Sequence, residues 1–255
     1  MKHVWWFILL TLMVCESGMS QGSAGSDATL EPRYLIDLPS AGIVPGGTVA
    51  LDMDFYQAGG LLMGVSIGAF DRMLFGISYG GTEIIGSGNP TWNSSPGFEI
   101  KLRLIDETFI LPAIAFGFDS QGKEIYLSDA SRYTIKSMGF FGVFSKNYAA
   151  AGNLSMHGGI NYSLERADGD TDPNLFIGIE KSVWTAVSII GEYNLGINDS
   201  NHDARGRGRG YLNVGLHVSA GKGFTVGFHL KDLLRNQQDL TIGNRTLTIE
   251  YVQEH

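Results

Sequence analysis

From about residue 47 onward, apolar and polar positions alternate with a period of two. Phe98, Ile100, Leu102 and Leu104 alternate with Glu99, Lys101 and Arg103. Leu154, Met156, Ile160, Tyr162 and Leu164 alternate with Ser155, His157, Gly159, Asn161, Ser163 and Glu165. Leu212, Val214, Leu216 and Val218 alternate with Asn213, Gly215, His217 and Ser219, and Phe224, Val226, Phe228 and Leu230 with Thr225, Gly227, His229 and Lys231. Successive side chains of an extended backbone point to opposite sides, so each run predicts a strand with one apolar face. Similar runs cover 49–55, 61–69 and 73–80, and less regular ones cover 110–118, 137–146, 174–182, 185–194 and 245–253. No stretch carries a convincing helical period. The count is about twelve strands.

Alternation alone describes a soluble sandwich as well as a barrel. The connections separate the two. Those near 70–72, 106–108, 147–152, 183–184 and 220–223 are short. Those at 81–95, 119–136, 166–173, 195–210 and 232–244 are longer and rich in Gly, Asn, Asp and Arg. Only the first connection, around 57–60, breaks the rule. Short turns at one end, long loops at the other and an even strand count form the pattern of outer-membrane barrels. A Greek-key sandwich has no reason to sort its connections in this way.

Composition agrees. Charged residues are 17% of the chain, and it has 35 glycines, 7 prolines and 11% aromatics. The net charge of −8 argues against a nucleic-acid partner, which would want a basic face. No segment after the amino terminus has the ~18 consecutive apolar residues of a membrane helix, so a membrane role must rest on strands. Residues 1–20 read as a secretory signal: Lys2, then an apolar run from Val4 to Val14, then Gly18-Met19-Ser20 before cleavage at Gln21. Leu12-Met13-Val14-Cys15 resembles a lipobox, which would lipidate Cys15, although Val14 stands where a small residue is usual. Residues 21–46 read as a flexible, extended segment, small and glycine-rich at its start.

Several stretches resemble the YjbH-like outer-membrane proteins associated with exopolysaccharide. They are Leu38-Pro39-Ser40-Ala41-Gly42-Ile43-Val44-Pro45-Gly46-Gly47, Ile77-Ser78-Tyr79-Gly80-Gly81, Pro112-Ala113-Ile114-Ala115-Phe116-Gly117-Phe118-Asp119, Ser145-Lys146-Asn147-Tyr148 and Gly178-Ile179-Glu180. The resemblance implies a barrel tied to surface polysaccharide. It brings no catalytic residue with it.

The residues that carry chemistry are mostly on the polar face. Glu99, Lys101 and Arg103 form an inward charged ladder, joined by His157, Glu165, Glu180, Glu192, His217, His229 and Lys231 on other strands. Such charges either pair and plug a lumen or line a path for a polar solute. His217-Val218-Ser219 has the His-x-Ser spacing of lipid-acting barrel hydrolases, with Ser155-Met156-His157 as its reverse. Both pairs fall on the lumen face, away from lipid, and so read as polar lining. Arg205, Arg207 and Arg209 place a positive cluster in a long external loop, suited to lipopolysaccharide phosphates or an acidic polysaccharide. No metal or nucleotide signature is present, and no cofactor is expected.

The sequence thus predicts an all-β transmembrane antiparallel up-and-down β-barrel of about twelve strands over residues 47–255, exported to the bacterial outer membrane. Its expected role is non-enzymatic: surface-polysaccharide export, envelope organisation or narrow-channel transport. Expected partners are outer-membrane lipid or lipopolysaccharide, with a polysaccharide or small polar solute as cargo. The alternatives are a hydrolase built on His217 and Ser219, and an adhesive barrel acting through its loops.

Overall fold

The computed structural model describes residues 22–201, 203–238 and 244–253. The predicted signal segment 1–20, with Cys15 and the cleavage site, lies outside the described residues.

Strands are β1 (Val49–Tyr56), β2 (Gly60–Ala69), β3 (Met73–Thr82), β4 (Thr91–Trp92), β5 (Gly97–Ile105), β6 (Ala113–Asp119), β7 (Lys123–Leu127), β8 (Arg132–Ile135), β9 (Gly139–Ala149), β10 (Asn153–Tyr162), β11 (Asn174–Trp184), β12 (Val187–Asn194), β13 (Tyr211–Gly221), β14 (Phe224–Lys231) and β15 (Asn244–Val252). Twelve of them pair antiparallel, each with the next, and the ring closes where β1 meets β15, with Met53 opposite Ile249. β4 only extends the edge of β3, and β7 and β8 form a separate hairpin inside the long connection 120–138. The result is a closed twelve-stranded antiparallel barrel, as the alternation predicts. The β7–β8 hairpin was not predicted. Its strands have five and four residues, too few to display a period.

The outer surface is apolar. Val65, Ile77, Phe98, Phe116 and Ile177 point away from the lumen and are exposed. At the short-turn end, Phe109 and Ile110 are 99% and 83% exposed, with Trp184 and Tyr148 at the same rim. At the long-loop end Tyr79 stacks on Trp92 with ring centroids 5.7 Å apart. An apolar belt flanked by aromatic rims suits the hydrocarbon and interface of a bilayer. A water-facing barrel would carry the opposite pattern. The carboxy-terminal strand carries its aromatic at Tyr251, packed on Phe224 at 4.6 Å.

The composition of residues 21–46 predicts a flexible extended segment, and here the structure requires a correction. Residues 22–46 form no strand but a run of bends and turns, packed for the most part inside the barrel. The chain runs inward past Ser219 and Thr225, climbs to Ile36, reverses in a tight hairpin and returns to Gly46 beside the β2–β3 turn. Leu35 N–H donates to the Leu38 carbonyl at 2.9 Å and Ser40 N–H to the Arg33 carbonyl at 3.0 Å, which fixes the reversal.

The barrel's hydrophobic core lies between this hairpin and the inner wall. Leu38 and Ala41 pack on Ala113, Ala115, Phe141, Val143 and Phe176. Ile43 and Val44 pack on Ala50, Leu74 and Val252, and Leu35 and Ile36 on Ile190. A Cβ at Gly178 of the wall would stand 2.1 Å from Leu35 Cδ1, so the absence of a side chain there makes room for the inserted segment. Burying these apolar side chains offsets the entropy of ordering an otherwise unpaired stretch.

Candidate functional site

A strand inside a closed barrel has no free edge to pair with, so its backbone groups need side-chain partners. The inward ladder supplies them. Lys101, fully buried, donates to the carbonyls of Arg33 at 3.1 Å and Gly42 at 3.3 Å. Arg103 donates to the Ala41 carbonyl at 3.0 and 2.7 Å and pairs with Glu31. Glu192 accepts the N–H groups of Ile36, Asp37 and Leu38 at 3.0–3.1 Å, and Asn213 Nδ2 at 2.7 Å. Lys231 pairs with Asp37 at 2.8 Å and Glu124 at 3.3 Å. The ladder therefore grips an inserted segment more than it pairs across strands. Glu99 stands 3.6 Å from Lys101 and lines a cavity.

The segment answers with Arg33, whose side chain is 2% exposed. Its guanidinium donates to Asp52 at 2.6 and 2.9 Å, to Ser66 Oγ at 2.7 Å and to Glu250 at 3.1 Å. Tyr34 OH donates to Asp119 at 3.1 Å, and Lys101 and Lys123 lie 5.0 and 4.8 Å from the Tyr34 ring centre. Arg33 escaped the sequence reading because it sits outside every alternating run. The available signal was the density of apolar residues around it, from Leu30 to Val44, which a solvated leader has no use for.

Two larger cavities remain beside the segment. One, of about 110 Å³, is lined by Arg33, Asp52, Glu99, Asp119, Lys123 and Glu250 among others. Its lining holds five carboxylates (Asp52, Asp54, Glu99, Asp119, Glu250) against Arg33 and Lys123. The second, of about 260 Å³, lies at the short-turn end between the segment and β9, β10 and β11.

The remaining predicted lining residues divide. His217 and His229 face each other with Nε2 atoms 2.9 Å apart, and His229 Nδ1 lies 3.2 Å from Thr246 Oγ1. His157 Nδ1 meets Ser145 Oγ at 2.8 Å. Glu180 is buried on β11. Glu165 lies past the end of β10, where it accepts the N–H groups of Tyr133 and Ser137 at 3.3 and 3.2 Å. It is a loop residue, because the alternation runs on three positions after the strand pairing has stopped. Burial pushes its carboxyl up to about 7, an effect the Ser137 and Tyr133 N–H groups only partly offset.

The His217–Ser219 pair is not assembled. Ser219 Oγ donates to the Ala24 carbonyl and accepts the Ala24 N–H, both at 3.0 Å, while His217 turns to His229. The hydroxyl serves as an anchor for the inserted segment.

The long loops fold over the other mouth. Arg132 of β8, fully buried, pairs with Asp168 and Asp199 at 2.6 Å each, and Lys136 pairs with Asp168 at 2.8 Å. Burial would lower the Arg132 pKa, but the bonds and charges of Asp199 and Asp168 outweigh it, and the pKa rises. Burial likewise raises Asp168, yet Lys136 pulls it below its ordinary range. One guanidinium thus ties three loops together. The arginine cluster is drawn into the same packing. Arg205 reaches Asp129 at 3.2 Å, Arg207 donates to the Gln238 carbonyl at 2.7 Å and Arg209 to the Leu234 carbonyl at 3.3 Å.

No family model matches the chain, and no curated relative does. Among solved structures it is similar to the KdgM porin at 10% identity, over 82% of this chain and 99% of that one, with a TM-score of 0.51. The KdgM porin in complex with disordered oligogalacturonate gives 11%, 82%, 99% and 0.50. The fold is that of an outer-membrane porin. The NanC porin, at 9% identity and a TM-score of 0.45, covers 81% of this chain and 99% of its own. In this porin-fold barrel the chain's own amino-terminal segment fills much of the lumen.

Proposed function

We propose that the protein is a non-enzymatic outer-membrane channel barrel whose path is held shut by residues 22–46. The observation that carries this reading is the buried Arg33, which joins the inserted segment to Asp52 and Glu250 on opposite sides of the β1–β15 seam. A purely structural barrel could fill its lumen with wall side chains. Here a separate piece of chain, attached at one mouth, does the filling. Sugars and other small polar solutes fit the lumen chemistry, and the YjbH-like resemblance adds a link to surface polysaccharide. The KdgM complex is a precedent for a saccharide with a barrel of this fold. The acidic lining of the cavity around Arg33 disfavours acidic chains and favours neutral or cationic solutes.

Planar-bilayer recording tests the channel. The full chain is expected to give small or no conductance steps, and a variant lacking residues 22–46 steps several-fold larger. Both must first show the heat-modifiable gel mobility of a closed barrel. If both are closed barrels and both are silent, the channel reading is wrong.

A further inference from the structure

The cavity of about 260 Å³ at the short-turn end holds an unanswered donor. His157, 5% exposed, lines it. Ser145 Oγ accepts the Ala41 N–H at 2.8 Å and lies 2.8 Å from His157 Nδ1, which is the one acceptor for its own proton among the described residues, and the hydroxyl proton is assigned there. Nδ1 is then an acceptor, and the proton of the neutral ring sits on Nε2. That Nε2–H is buried and has no hydrogen-bond partner among the described residues. A buried donor without an acceptor loses its hydration with nothing in return. A site that keeps one beside an open cavity is incomplete until an acceptor enters it.

The rest of the lining says what kind of acceptor. Glu180, Ser155, Ser182, Asn147 and Asn153 offer further polar groups, and Leu30, Pro32 and Ala113 offer apolar faces. The volume equals the share of roughly nine waters, room for one sugar ring. The lining carboxylates are Glu31, Glu107 and Glu180, against Arg103 alone. Arg103 is taken by Glu31, and Glu107 by Lys146 at 3.0 Å from outside the lining. Glu180 has no cation within salt-bridge distance among the described residues, so an anionic ligand would find no counter-charge beside it. A bare ammonium would satisfy Glu180 but leave the His157 donor unpaired. Hydroxyl groups do both, since each donates and accepts. Asn147 and Asn153 at the rim are exposed, which gives an entry.

We propose that this cavity binds a neutral saccharide unit, with His157 donating to one ring hydroxyl and Glu180 accepting from another. The proposal rests on the channel reading for how a sugar reaches the lumen, and on the cavity alone for its binding. Saturation-transfer NMR on the detergent-solubilised full chain tests it, with glucose, glucosamine and galacturonate as probes. Glucose is expected to bind in the millimolar range and galacturonate at least tenfold more weakly. His157→Leu should weaken glucose about tenfold, while His217→Leu, outside this cavity, should leave it unchanged. Glu180→Gln should bring galacturonate to within a few-fold of glucose. Absence of glucose binding to a heat-modifiable barrel overturns the proposal, as does equal binding of all three probes or an unchanged affinity in His157→Leu. If the bilayer experiment succeeds and glucose still does not bind, the channel stands and this site falls.

Discussion

Replacing Arg33 by Met should loosen the inserted segment without opening the barrel wall. Arg33 is 2% exposed and its partners Asp52 and Glu250 are 34% and 19% exposed. Removing one partner of a buried ion pair costs about 3–5 kcal/mol, because a charge is left buried without its counterion. Asp52 retains some solvent, so the lower end applies, about 3 kcal/mol. That cost falls only on the inserted state, since withdrawal lets water reach both carboxylates. The population of withdrawn segment should therefore rise about a hundredfold. Cysteine labelling measures it. Cys15 is the chain's single cysteine, so Cys15→Ser with Ser40→Cys leaves one reporter, at a position 1% exposed beneath the hairpin. When opening is fast relative to labelling, the rate with a polar maleimide follows the withdrawn population. Arg33→Met should raise that rate about a hundredfold, and adding Asp52→Asn with Glu250→Gln should recover most of the loss. A rate within twofold of the parent, in a barrel that keeps its heat-modifiable mobility, would refute the reasoning.

Arg132→Met should leave Asp199 without its cation and Asp168 with Lys136 alone, and expose the long loops to limited proteolysis, at a local cost of about 3–5 kcal/mol, while the unfolding temperature of the barrel barely moves. Uniform stabilities of loop and wall would count against this. Glu165 sets a pH dependence in the same loops. Its folded pKa, about 7, lies above the ordinary 4.5, so the folded loop binds the proton more tightly and loses stability as pH rises from about 4.5 to 7. Hydrogen exchange at Tyr133 and Ser137 should accelerate over that window, by no more than about 3 kcal/mol in protection, and Glu165→Gln should flatten the profile. On the outer face, Ile177→Arg should destabilise the barrel in lipid vesicles by about 2–4 kcal/mol. No effect in a folded vesicle-bound barrel would mean that β11 does not face hydrocarbon.

The barrel was legible because two solvents meet across a wall one residue thick. Phe98, Ile100 and Leu102 face the apolar side and Glu99, Lys101 and Arg103 the polar side of β5, up to the register shift before Ile105, and the same logic recovered all twelve wall strands. The contents of the barrel were not legible. The inserted segment takes its order from Lys101, Ser145 and Glu192, which stand 59, 104 and 156 positions from the groups they bind. No periodicity reports such contacts. Inward Ala115, Phe141 and Phe176 broke the expected polar lining for the same reason, since they face a piece of chain where the alternation suggested water. His217 and Ser219 had the right spacing for chemistry, but spacing along a strand says nothing about a third residue, here Ala24, that occupies the hydroxyl.

The hairpin between Tyr34 and Pro39 puts both limbs of the inserted segment at one mouth. Ser23 is held by Thr225, two positions from the 222–223 turn, and Gly46 donates to Asp71 in the neighbouring 70–72 turn at 2.7 Å. A linear thread would have to be pulled through end first. A doubled-back one can be drawn out like a bight of rope, with its tip leaving last and no free end crossing the pore. The loop can therefore return by the way it came.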